Sequence, residues 1–251
     1  MFFMQLFESN LKNHAPKIIY YTSTNSTQDD IWEIFDEENN NNLIIITDNQ
    51  KNGRGRKNNQ WFSKPGHSIT CSFILPEIFS KKQFNFHSII IPVAIIRGVK
   101  EFCSIDLKIK WPNDILYENK KIGGILIESK KKKKYYFNVG LGLNVNENTI
   151  DFPESLQSKS ISLKEIQGHP IQREPLLAYI INELNVLIKE LDTSSLVREW
   201  TEYCCHKNSK ISFMYHSKQV EGIFKYINEE GQAVINLNNE YINFDGAINI
   251  L

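Results

Sequence analysis

The stretch QKNGRGRKNNQWFS, residues 50–63, sets two guanidinium groups on a flexible backbone next to an aromatic pair. Arg54 and Arg56 alternate with Gly53 and Gly55, and Trp61 and Phe62 follow. Arginine clamps planar or tetrahedral oxyanions through paired donors. Glycine lets the backbone approach a ligand closely and adopt positive φ. The combination suits a carboxylate and a phosphate held near each other. The loop lacks the GxxxxGK(S/T) spacing of a phosphate-binding P-loop. Standing alone it also reads as a solvated basic loop, or as an RGG-like nucleic-acid segment.

Other motifs flank it in a fixed order. TSTN (22–25) lies upstream, and KWPNDI (110–115), KIGGILIE (121–128) and GLGLNVN (140–146) lie downstream. In this order the set resembles biotin protein ligase, the family that attaches biotin to carboxylases. The resemblance runs from about Tyr20 to the C-terminus. Its specific part is GRGR together with KWPND and KIGGILIE, since GLGLNVN alone is a weak signal. No helix-turn-helix segment precedes these motifs, so the expectation is a monofunctional ligase and not one that also represses transcription. The resemblance implies an α+β fold. A class II synthetase-like catalytic domain with a mixed sheet and flanking helices (1–205) is expected to carry a small SH3-like β-barrel (206–251).

It also implies a two-step reaction with ATP and biotin as substrates and Mg²⁺ on the phosphates. Biotin carboxylate attacks the α-phosphate, giving biotinyl-adenylate and pyrophosphate. A lysine of a biotin carboxyl carrier protein then attacks the mixed anhydride. The first step joins two anions and needs fixed positive charge, which Arg54, Arg56 and Lys121 are expected to supply as the catalytic set. A lid that excludes water protects the adenylate, and the 51–60 loop is expected to be mobile until ligand orders it. By residue matching, Ser23, Thr24, Asn25 and Gln50 fall on the biotin side, where hydroxyls and amides suit the ureido ring. Gly53, Arg54, Gly55, Arg56, Lys121, Gly123 and Gly124 join them, the glycines letting backbone lie close to the ligand. Arg56, Trp61, Lys110, Asn113, Asp114, Lys121 and Asn144 fall on the nucleotide side. Asp114 meets either the ribose or a metal, and the metal ligands are left open. TSTNS also reads as simple helix capping.

The chain departs from the family at two places. Some relatives carry an adenine-stacking tryptophan just before the ISL segment, where this chain has Ser160. His67 stands where relatives often have a small residue or asparagine, and a lone histidine in a turn is usually incidental. The run Lys130–Lys134 reads as a solvated hairpin turn, or else as a patch that steers an acidic carrier domain.

The elements that must position these groups are short apolar runs alternating with helical patterns. Strands are expected at 18–21, 43–47 and 68–75, and two more lie on either side of the lysine turn. Helices are expected after Ser26 and Thr27, with Asp29 and Asp30 in the first turn, and over 87–102, 175–191 and 194–205. Five short strands in the final segment suggest the barrel.

Bulk properties set outer limits. The 251 residues are 41% apolar with 29 basic and 29 acidic side chains, so a sizeable core forms and no bulk charge draws nucleic acid. The four cysteines, Cys71, Cys103, Cys204 and Cys205, show no zinc spacing and suit a reducing compartment. The first residues lack the basic region of a signal peptide, and the apolar runs are too short to span a bilayer. A cytoplasmic enzyme with no DNA or membrane partner is expected, with a homodimer left open. A lipoate or octanoate ligase shares the fold and chemistry, but Arg-Gly-Gly motifs mark those relatives. A non-catalytic nucleic-acid-binding protein is the alternative of a different class, opposed by the balanced charge and by KWPND and KIGGILIE.

Overall fold

A computed structural model describes residues 2–12, 16–38, 42–215, 218–245 and 248–250. Most of the asparagine tract at 39–42 and the final Leu251 lie outside them. Helix α1 (Met4–Asn10) leads into β1 (Lys17–Tyr21), α2 (Thr27–Ile34), β2 (Leu43–Thr47), β3 (Ile69–Pro76) and α3 (His87–Cys103). The strands β4 (Lys108–Lys110), β5 (Asp114–Tyr117), β6 (Lys120–Lys131) and β7 (Tyr135–Leu143) follow. Short helices α4 (Glu154–Gln157) and α5 (Leu163–Gln167) precede the long α6 (Arg173–Lys189) and α7 (Thr193–Tyr203). The chain ends in β8 (Lys210–Tyr215), β9 (Lys218–Ile227), β10 (Ala233–Leu237), β11 (Glu240–Phe244) and β12 (Ile248–Ile250).

The main sheet runs β1-β2-β3-β7-β6-β5-β4, with β1 parallel to β2 and the remaining neighbours along this path antiparallel. The continuous LIIIT of β2 is buried throughout, as a strand covered on both faces requires. On one face α3 and α6 pack against each other and the sheet. They approach closely at Gly98, where a Cβ would stand 2.7 Å from the Ile180 backbone. α2 covers the other face through Ile31, with Phe35 just past its end.

Two features differ from the sequence reading. Helix α1 was not foreseen, because it is short and its ends are satisfied from elsewhere. Glu174 accepts from the Phe3 N–H, and the Asn182 amide accepts from the Lys12 N–H and donates to the Asn10 carbonyl. The five expected barrel strands also divide. β8–β11 form a four-stranded antiparallel sheet in the order β11-β10-β9-β8, consistent with an SH3-like unit. The fifth, β12, returns to the main sheet and pairs in parallel with β6, Ile248 opposite Ile127, where β6 extends beyond β5. Among the described residues no helix is long and apolar enough to cross a membrane.

Candidate active site

A cavity of about 840 Å³ lies over the main sheet and reaches the second sheet. Its floor follows from strand register. Gly124 of β6 pairs with Gly142 of β7, which pairs with Thr70 of β3, while Leu126, Gly140 and Ser72 form the next row. Side chains alternate across a strand, so these residues share one face, and three of the six are glycine. The indole of Trp61 fills the space the glycines leave. A Cβ on Gly142 would stand 2.3 Å from Trp61 Cε2, and one on Gly124 would stand 3.3 Å from Cζ3.

One end of the cavity is lined by hydroxyls and amides. Gln50 Oε1 accepts from the Thr27 N–H at 2.9 Å and its hydroxyl at 3.1 Å. Thr27 Oγ1 also lies 2.8 Å from Ser72 Oγ, and Ser72 donates to Gln28 Oε1 at 3.1 Å. Ser26 begins α2 but makes no side-chain cap bond, and its buried Oγ has no hydrogen-bond partner. The expected capping role is therefore filled by position alone.

The other end is cationic. Lys121 Nζ lies 2.6 Å from Asp114 Oδ1 and 5.6 Å from the centroid of Trp61. Arg56 reaches Asn113 Oδ1 at 3.5 Å. Burial pushes its pKa down, and the nearby Asp114 charge opposes that shift. Lys110 lines the same end, and Asp114 is the one acidic residue in the cavity wall among the described residues. Asn113 is fixed by two bonds to Ile125, its amide to the carbonyl at 3.0 Å and its carbonyl from the N–H at 2.9 Å. Beyond lies a wall from Trp111, Phe213 and Phe244, with the Trp111 and Phe244 rings 5.6 Å apart.

The structure brings Gln50, Arg54, Gly55, Arg56, Trp61, Lys110, Asn113, Asp114, Lys121 and Gly124 onto this cavity. Gly53 and Gly123 stand just behind it, each where a Cβ would press on backbone, at 2.4 Å from the Trp61 carbonyl and 3.1 Å from that of Gly142. The glycines of the loop serve close approach and not positive φ, which falls on Lys57 at φ 54°. The three residues Ser23, Thr24 and Asn25 do not line the cavity. Thr24 donates to Asp30 at 2.6 Å, Ser23 accepts from Asn49, and the Asn25 carbonyl takes the Asn52 N–H. The wall positions belong to Ser26, Thr27 and Gln28, the same chemistry repeated three residues later. The duplication STNSTQ was the signal, and the chain turns into α2 only at its second copy. Asn144 is 3% exposed and donates to the Ile161 carbonyl, which places it beneath the site.

The flanking departures resolve as follows. Ser160 is buried, and its segment pairs with Lys121 through backbone, Lys121 N–H to Lys159 and Ile161 N–H to Lys121. His67 bonds its own turn at the Pro65 carbonyl. Four of the five turn lysines sit over aromatic rings, Lys130 on Trp32 and Lys132 on Phe35 among them, while Lys133 pairs with Glu38.

Two of the buried titratable groups near the site escaped the sequence. His206 lines the cavity, 8% exposed, and burial first and Lys110 second push its pKa down to about 4. Glu147 is fully buried and its pKa is raised by burial, with Ser68 donating to one oxygen and the other unpartnered.

Arg54, expected as a ligand clamp, lines the cavity and is engaged by two carboxylates. Its Nη1 pairs with Asp29 and its Nη2 with Glu128 at 2.5 Å.

Known proteins resemble the chain in sequence and in fold. Residues 20–146, a little over half the chain, match the biotin/lipoate A/B protein ligase family. The bifunctional ligase/repressor BirA of Bacillus subtilis (strain 168) is 34% identical over 167 residues, covering 65% of this chain and 51% of its own. The human biotin–protein ligase is 26% identical over 224 residues, covering 80% of this chain and 30% of its own. The chain thus spans about half or less of the length of these relatives. The biotin protein ligase of Aquifex aeolicus, solved with biotin and ATP, superimposes with a TM-score of 0.79 at 22% identity over 92% of this chain and 96% of that one. That of Leishmania major, solved with biotinyl-5-AMP, gives 0.70 at 19% identity over 93% and 100%. The structural likenesses establish the fold, and with the sequence match over 20–146 they lead to one assignment: the chain belongs to the biotin/lipoate A/B protein ligase family.

Proposed function

We propose that the chain attaches biotin to a lysine of a biotin carboxyl carrier protein, using ATP and passing through biotinyl-5'-AMP. The observation that carries this reading is the order of chemistry along one cavity. A neutral hydroxyl-and-amide end is followed by a glycine floor under an indole, then by a cationic end, then by an aromatic wall. That order matches a ureido ring, an aliphatic acyl chain, a carboxylate meeting a phosphate, and a nucleoside. The relatives' names and the biotinyl-5-AMP bound to the Leishmania protein support it.

In this reading Ser26, Thr27, Gln28 and Gln50 receive the ureido group, and Trp61 covers the acyl chain. Lys121 and Arg56 hold the carboxylate oxygen against the α-phosphate, stabilising the charge that builds up as the acyl–phosphate bond forms and pyrophosphate leaves. Lys110, Asn113 and Asp114 face the nucleotide. The carrier lysine then attacks the acyl carbon and AMP departs. The described residues contain no cluster of three or more His, Cys, Asp or Glu that would cage a metal. A Mg²⁺ arriving on the phosphates fits nonetheless, because such ions need only one or two carboxylates and keep several waters. Asp114, the acidic residue of the cavity wall, would hold it, and it would neutralise phosphate charge when bound. The four free cysteines fit a cytoplasmic setting.

The test is to incubate the chain with Mg-ATP and biotin and analyse the bound fraction by mass spectrometry for biotinyl-AMP. A carrier domain is then added and blotted with streptavidin. Formation of an adenylate from lipoate or octanoate but not from biotin would overturn the assignment in favour of the other branch of the family.

A further inference from the structure

The two arginines of the loop do different things. Arg56 faces Asn113 and the Asp114–Lys121 pair across the cavity. Arg54 also lines the cavity, but its guanidinium forks between two carboxylates, Asp29 on the first turn of α2 and Glu128 on β6. Glu128 is 1% exposed, and its second oxygen accepts from Gln28 at 3.2 Å and Trp32 at 3.4 Å. Register places it one row beyond Leu126 and Gly140, paired with Asn138. It therefore stands on the same face as the cavity floor, beyond the ureido end.

The loop is also stitched by backbone. The Asn52 N–H reaches the Asn25 carbonyl, Gly55 reaches Asn59, and Trp61 reaches Gly53. These bonds shape the loop and tie its base to the segment before α2. The Arg54 fork adds side-chain anchors on α2 and the sheet. Removing one partner of a buried charge pair leaves the other uncompensated, so Arg54 supplies the charge that balances Glu128, whose second oxygen Gln28 and Trp32 hydrogen-bond.

We propose that Arg54 is the latch of the arginine loop and Glu128 its keeper, so that the protein's own carboxylates hold the first arginine of the loop against α2 and the sheet. Glu128 is then a positioning residue acting through Arg54, and Asp29 a weaker, half-exposed second keeper. The inference deepens the proposed function but reads out without it.

Hydrogen–deuterium exchange of the full chain follows the amides of Asn52, Gly55 and Trp61. In Glu128→Gln these amides are expected to exchange about tenfold faster, the effect of losing a coupling of ordinary size between contacting charges, while those of β6 and β7 keep their rates. Arg54→Ala should do the same, and the double variant no more than either single one. Arg54→Lys, which cannot fork between two carboxylates, should recover only part of the protection. In the ligase assay, Glu128→Gln should raise the KM for biotin and speed loss of the adenylate more than it lowers kcat. Additive effects of the two substitutions, or unchanged loop exchange in folded Glu128→Gln, would overturn the latch. If Glu128→Gln does not fold, Asp29→Asn on the surface decides by the same amides: faster loop exchange supports the latch and unchanged exchange overturns it. Faster loop exchange in a chain that makes no biotinyl-adenylate would uphold the latch and sink the ligase reading.

Discussion

The Lys121 ammonium and the Asp114 carboxylate meet at 2.6 Å across the β5–β6 hairpin. The same ammonium faces the Trp61 ring, 5.6 Å from its centroid. A lysine held between an anion and an indole is fixed in place before any substrate arrives. Lys121→Ala should therefore fold normally and lose adenylate formation by about a hundredfold or more, the 2.7–4 kcal/mol typical of one preorganised charge stabiliser. Single-turnover pyrophosphate release measures it, and an unchanged rate would remove Lys121 from the reacting centre.

Gly142→Ala tests the floor. The new Cβ would stand 2.3 Å from Trp61 Cε2 and must expel the indole. Overpacking of this kind costs about 1–3 kcal/mol. Biotin affinity by calorimetry should fall about tenfold, with a smaller change for ATP. Unaltered biotin affinity would mean that Trp61 does not cover the acyl site.

Arg56→Gly separates synthesis of the intermediate from its retention. Arg56 faces the cavity at Asn113 while Arg54 is engaged with Asp29 and Glu128. The variant keeps Lys121, so it should still make biotinyl-adenylate but release it faster. The freed anhydride would acylate exposed lysines of a bystander such as serum albumin. A streptavidin blot showing no more label than wild type, at an equal adenylation rate, would remove Arg56 from the retaining role.

The sequence displayed the cationic end of the cavity well, because Lys121 and Asp114 sit in motifs whose spacing the hairpin preserves and Arg56 stands in the GRGR stretch. It displayed the neutral end poorly. Ser23–Asn25 and Ser26–Gln28 offer nearly the same groups, and only the point where the chain enters α2 decides which copy faces the cavity. The partners of Arg54 were invisible, since Glu128 lies far along the chain and meets the loop only through β6 register. β12 reads locally like any other short strand, and its place in the main sheet depends on a gap beside β6. The helix–strand order was legible because each run carries its own period, whereas α1 depends on partners in α6.

Glu147→Gln should stabilise the protein at neutral pH. Burial raises the Glu147 pKa, and one of its oxygens has no partner. The folded state therefore binds more protons than the unfolded chain above the ordinary value of 4.5, and stability falls as pH rises from there through the raised folded value. The neutral amide avoids that loss, so its advantage in melting temperature should be present at pH 7 and shrink on acidification. A gain that is the same at both ends of the range would contradict the assignment.

His206 has the opposite dependence. Its ring packs edge-on against Phe224, 4.7 Å between centroids, and its Nδ1 lies 3.5 Å from the Cys205 thiol. The Nε2 atom is buried without a hydrogen-bond partner, and Lys110 is the cation that adds to the penalty for charging it. The folded pKa of about 4 lies below the ordinary 6.5. Between these values the unfolded chain holds the proton and the folded chain does not, so stability falls as pH drops through this window. The full contribution approaches about 3 kcal/mol, with a slope of up to about 1.4 kcal/mol per pH unit. His206→Gln removes the titration, so urea unfolding at pH 7, 6 and 5 should show a flatter acid limb than wild type. Parallel limbs for the two proteins would show that His206 is solvated and protonates freely, and would remove it from the buried wall of the cavity.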